Sequence, residues 1–123
     1  MATKYIRTRM IIEESANADY SNPRKWQVED TWSGDEFIFY DIDIPNAVET
    51  IAIANHFDTI SRLLVYNNHA TVTFELGVTI DGAAITMDIP AGEYVELTDV
   101  GDVNITGDGD AAASSALIWV WGT

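Results

Sequence analysis

Apolar and polar positions alternate along much of this chain with a period of two. Over residues 71–80 the alternation is strict. Val72, Phe74, Leu76, Val78 and Ile80 fall on one side, and Thr71, Thr73, Glu75, Gly77 and Thr79 on the other. This is the spacing of a β-strand with one buried face. Asp81-Gly82 follows, a dipeptide suited to the positive φ angles of a two-residue type I′ turn. Ala83, Ile85, Met87 and Ile89 then resume the alternation. Such a turn pairs Ile80 with Ala83, Val78 with Ile85, Leu76 with Met87 and Phe74 with Ile89. Every pair sets apolar against apolar, and a slip of one residue would break them all.

The same pattern predicts shorter strands over residues 5–12, 36–44, 62–66, 93–97 and 103–106. Residues 48–56 read as a strand, with a short helix over 47–57 as the alternative. Asn67-Asn68 ends one strand with residues that tolerate left-handed geometry. Pro90-Ala91-Gly92 suits a type II turn, and residues 98–102 form another turn. Residues 15–33 read as a long loop. About eight short strands separated by such turns predict an all-β fold: one domain over residues 1–123, an antiparallel β-sandwich of jelly-roll type, with a closed barrel as the alternative. Residues 1–12 form an N-terminal arm or an edge strand.

The last strand, 116–121, departs from the alternation. Leu117, Trp119 and Trp121 occupy one face and Ala116, Ile118 and Val120 the other, so both faces are apolar. An antiparallel strand of a lone sandwich normally shows one polar face to water. The second face is covered either by the 15–33 loop or by a neighbouring subunit. The latter makes Trp119 and Trp121 interface residues and the chain a homo-oligomer, a trimer foremost.

Charge narrows the partners. Twenty acidic and six basic residues give a net charge of −14. Phosphate binding to nucleic acid needs clustered Lys and Arg, and anionic lipid repels such a chain. Five of the six basic residues precede residue 26. A basic arm, with Lys4, Tyr5, Arg7 and Arg9 as contact residues, is therefore expected to dock on an acidic neighbour, another copy of the chain included. There is no Cys, which excludes disulfides, thiolate nucleophiles and Cys-based zinc sites. No signal-like segment and no membrane-spanning apolar run is visible.

Chemistry-bearing motifs are sparse. Residues 102–107 match the first half of an EF-hand loop, but Ala113 stands where the closing bidentate Glu belongs. Asp102, Asp108 and Asp110 remain a weak candidate calcium loop, and calcium is the one cofactor considered. His56 and Asp58 can share a strand face, and His69 lies near Asn67-Asn68, but no third group completes a metal site or a triad. No nucleophile elbow, phosphate loop or zinc-protease motif occurs. The chain is read as non-enzymatic, with no catalytic residues. Trp26 and Trp32, placed in the loop, are candidate glycan-stacking rings, the alternative being that they pack over the sandwich edge.

Over residues 64–122 the order Leu64-Val65-Tyr66-Asn67-Asn68, Asp81-Gly82, Ile89-Pro90-Ala91-Gly92-Glu93-Tyr94 and Ile118-Trp119-Val120-Trp121-Gly122 resembles small β-sandwich structural proteins of tailed-virus particles. These include capsid decoration proteins, head fibres and tail components. The resemblance implies a bacteriophage virion protein assembled in the host cytoplasm. Its foremost role would be capsid decoration, cementing a shell of a major capsid protein through the arm and through contacts between its own copies. A carbohydrate- or receptor-binding module of a tail or fibre is the alternative. The excess of acid over base also resembles proteins of salt-adapted hosts, where salt screens like-charge repulsion.

Overall fold

The computed structural model describes residues 4–34, 36–52, 57–101, 104–109 and 112–123. Ten strands run through them: β1 (Lys4–Glu14), β2 (Arg24–Gly34), β3 (Glu36–Ile44), β4 (Glu49–Ala52), β5 (Ile60–Asn67), β6 (Phe74–Ile80), β7 (Ala83–Ile89), β8 (Tyr94–Thr98), β9 (Asn104–Asp108) and β10 (Ser114–Gly122). Strands β3 to β10 form two four-stranded sheets, ordered β3-β10-β5-β8 and β4-β9-β6-β7, and every pairing is antiparallel. This is the strand order of a jelly roll, in which eight strands divide between two facing sheets. β1 and β2 stand apart as a hairpin paired only with each other. Among the described residues no helix is long and apolar enough to cross a membrane.

The core lies between the two sheets. Leu63, Val65, Ala116, Ile118 and Val120 face Phe74, Leu76 and Ile105, all fully buried. The β6–β7 hairpin has the register that its alternation requires, Ile80 to Ala83 through Phe74 to Ile89. Its turn residues have the expected positive φ, 51° at Asp81 and 77° at Gly82. Gly107 is the small residue that the core demands. A Cβ there would lie 2.6 Å from the Phe74 ring, so the ring fills the space a side chain would need.

The expected strand over 71–80 begins only at Phe74. The reason is Asn67, fully buried at the end of β5. Its side-chain amide donates to the carbonyls of Val72 and Ile89, both at 2.8 Å, and its Oδ1 accepts from the amide of His69 at 3.1 Å. Its backbone bonds to Glu93 and Gly92, both at 2.9 Å. His69 Nδ1 then accepts from the amides of Thr71 and Val72. These groups bond locally and are withdrawn from a sheet ladder. Asn67 is therefore a buried knot joining β5, the 68–73 loop, the end of β7 and the Pro90–Glu93 turn. It is not the left-handed turn residue that the sequence suggested. The turn itself closes with Glu93 donating to Pro90, and Gly92 has φ 78°.

Two other expectations change. Residues 15–33 are not a loop, because Arg24–Gly34 pairs residue for residue with Lys4–Glu14. Within 48–56, Glu49–Ala52 is a strand against β9, which replaces the helical alternative there; residues 53–56 lie outside the described residues.

Candidate interaction site

Period two dictates that residues between the core positions of a sheet point outward. On the sheet built around β10, these outward positions are mostly aromatic or aliphatic. Register places Phe39, Trp119, Leu64 and Glu96 side by side, with Phe37, Trp121 and Arg62 in one adjacent row. Leu117, Tyr66 and Tyr94 belong to the row on the other side. The Phe39 and Trp119 rings lie 5.2 Å apart and the Phe37 and Trp121 rings 5.5 Å, both tilted, within the range of favourable aromatic pairs. Trp121 is buried and Trp119 half-buried, while Phe39 is 48% and Tyr94 59% exposed. Arg62 and Glu96 form an ion pair at the polar edge of this surface.

The outer face of the opposite sheet differs throughout. One row reads Thr50, Thr106, Gly77 and Thr86, and the next reads Asp108, Glu75 and Asp88. It is the solvated face that an antiparallel sheet normally shows to water.

Above the aromatic face lies the β1–β2 hairpin, which is itself amphipathic. Register sets Met10 against Val28 and Ile12 against Trp26 on one side. On the other it sets Arg9 against Glu29, Ile11 against Gln27 and Glu13 against Lys25. Glu29 takes Arg9 at 3.1 Å and Arg7 at 3.8 Å, and Glu13 takes Lys25 at 3.3 Å. Arg24 stacks over the Trp26 ring, 4.6 Å from its centre. The hairpin tip is ordered by its own polar side chains. Asn17 donates to Ser15 Oγ through its amide and to Ser21 Oγ through its side chain. The Ser21 amide donates to Asp19 Oδ1 at 3.1 Å. Those bonds from Ser21 hold the Asp19 carboxyl below its ordinary pKa.

Between the hairpin and the sheet is a cavity of about 570 Å³. Met10, Ile11 and Val28 line it from the hairpin, and Leu64, Tyr66, Tyr94 and Trp119 from the sheet. Arg9, Arg62 and Glu96 supply its polar edge. The hairpin thus covers the face only in part, and it provides the cover expected from residues 15–33 as a strand pair.

The residues singled out in the sequence separate. Trp119 and Trp121 share this face, as their spacing predicted. Arg7 and Arg9 both pair with the carboxylate of Glu29 on the partner strand; Lys4 and Tyr5 occupy the start of β1. Trp26 and Trp32 lie on β2, opposite Ile12 and Ile6, and not in a loop. Of the calcium candidates, Asp108 ends β9 beside Glu75, while Asp102 and Asp110 lie outside the described residues. His56 does too, whereas His69 bonds backbone amides. Among the described residues no group of three His, Cys, Asp or Glu side chains is arranged to hold a metal ion. Sequence reading missed Phe37, Phe39 and Tyr94 as members of the face. The signal for the first two was present, since they alternate with the inward Ile38 and Tyr40.

No family model matches the chain, and no curated protein matches it. A solved structure that it is similar to belongs to work on Bacillus endospore appendages, described as a family of disulfide-linked pili. That likeness is at 12% identity and a TM-score of 0.49, over 94% of this chain and 92% of that one. The disulfides of those pili have no counterpart here, because this chain has no Cys. The finding corrects the tailed-virus resemblance and what followed from it: the bacteriophage capsid decoration or fibre role, the major capsid protein as partner and the virion as location. The motifs that carried the resemblance have a local cause. Asn67 ties the Tyr66-Asn67-Asn68 segment to the Ile89-Pro90-Ala91-Gly92 segment, so the two record one knot of turn hydrogen bonds and not a kind of particle.

Proposed function

We propose that this chain is a self-assembling structural subunit whose copies meet through the aromatic outer face of the β10 sheet and the hairpin above it. The observation that carries this reading is the contrast between the two outer faces. One sheet shows threonines and carboxylates to water, while the other shows Phe39, Trp119, Tyr94 and Leu64 under an incomplete cover. Contiguous apolar surface of this kind marks association, and aromatic residues are the side chains that most often anchor it. The charge of −14 makes the copies repel one another at long range, so assembly strengthens with salt.

Light scattering and electron microscopy of the purified protein at low and high salt test this. The expected result is an oligomer or filament that grows with salt and is lost in Trp119→Glu, with Thr106→Glu on the opposite face as the control. A closed contact gives a discrete mass and an open one a filament. A monomer at every salt and concentration, unchanged by Trp119→Glu, would overturn the proposal.

A further inference from the structure

We infer that the β1–β2 hairpin is an exchangeable cover: in the assembled protein the hairpin of one copy seats on the aromatic face of the next. This deepens the self-assembly reading and rests on it. Among the described residues the hairpin shares no backbone hydrogen-bond ladder with either four-stranded sheet, so it can leave its own sandwich without breaking a sheet. Within one chain its seat is poor. Met10 remains 47% and Val28 57% exposed although both line the cavity, and that cavity withholds the close contacts on which packing energy depends.

Charge identifies the occupant. Residues 4–34 hold five basic and five acidic side chains, while the rest of the chain carries the whole net charge of −14. A second copy's sandwich is repelled by this sandwich, but a second copy's hairpin is not. It is a segment without net charge that carries the apolar pairs Met10–Val28 and Ile12–Trp26 on one side. Mutual exchange between two copies makes a closed dimer, and exchange passed from copy to copy makes a chain of subunits.

The full-length double variant Val28→Cys, Leu64→Cys provides the test, because the protein has no other Cys. Equal amounts of isotopically heavy and light chain are mixed in denaturant, refolded together, joined with a short bismaleimide, and the linked peptides read by mass spectrometry. Exchange predicts that about half of the 28–64 links join a heavy to a light chain, as random exchange in a symmetric assembly requires. Links within single chains only, from a protein that light scattering shows to be oligomeric, overturn the exchange and leave self-assembly standing. Links within single chains from a protein that stays monomeric overturn both. No 28–64 link at all, with the single variants confirmed reactive, rejects the hairpin as the cover of the face.

Discussion

The hairpin and the sandwich are written in the same alternating code, yet only one of them is buried by it. In β6, the residues at every second position are sealed between two sheets, and Phe74 and Leu76 have no exposed surface. In β1 and β2 the alternation is interrupted by charge, and Met10, Ile12 and Val28 are 47–57% exposed. A strand buries a face only if another layer stacks on it, and two strands without such a layer are marginal in water. Alternation predicts which residues share a face. The neighbouring layer decides whether that face is core or contact surface.

The comparison can be broken first at the sandwich. Phe74→Ala removes a ring from the centre of the core and is expected to cost about 3–5 kcal/mol in denaturant unfolding. Asn67→Ala leaves the carbonyls of Val72 and Ile89 and the amide of His69 without their partner, and a loss of about 2–4 kcal/mol follows. Gly107→Ala drives a methyl into the Phe74 ring and costs about 1–3 kcal/mol. On the hairpin, Glu29→Gln abolishes two exposed ion pairs, and global stability should move by less than about 1 kcal/mol. A larger loss there would show that hairpin and sandwich unfold as one unit. The smallest effect belongs to Asp19→Asn. The folded carboxyl titrates below its ordinary value near 3.8, so its small contribution is present above that value and fades as pH falls through the folded pKa. An NMR pH titration of the tip amides would follow it, and pH-independent signals at Ser21 would refute the bond.

Much of the sandwich was legible because its cause is local. The β6–β7 register follows from one dipeptide and four apolar pairs, and the two-sided β10 followed from its unbroken apolar run. β2 was not legible. Its alternation is blurred by charge, with Glu29, Asp30 and Thr31 in succession, and its partner is β1, beyond a polar tip. The shortening of β6 was hidden too, since Asn67 acts on Val72 through a buried amide that no periodicity reveals. For the face, Trp119 and Trp121 stood out by being apolar where polarity was due. Phe37 and Phe39 were legible from their alternation with Ile38 and Tyr40, whereas Tyr94 was recognisable only once register set it beside Tyr66.

The position of β10 has a consequence for how the chain is made. It lies between β3 and β5, and both precede it in sequence, so during synthesis each waits with an unpaired edge until residues 114–122 emerge. Such long-range closure is slow and leaves strand edges open to other chains. The local β6–β7 hairpin can form early, whereas Phe39 and Leu64 stay uncovered on separate strands until Trp119 arrives between them. At the ribosome, then, the molecule is most adhesive just before its last strand joins, and a nascent neighbour meets it when its edges are still open.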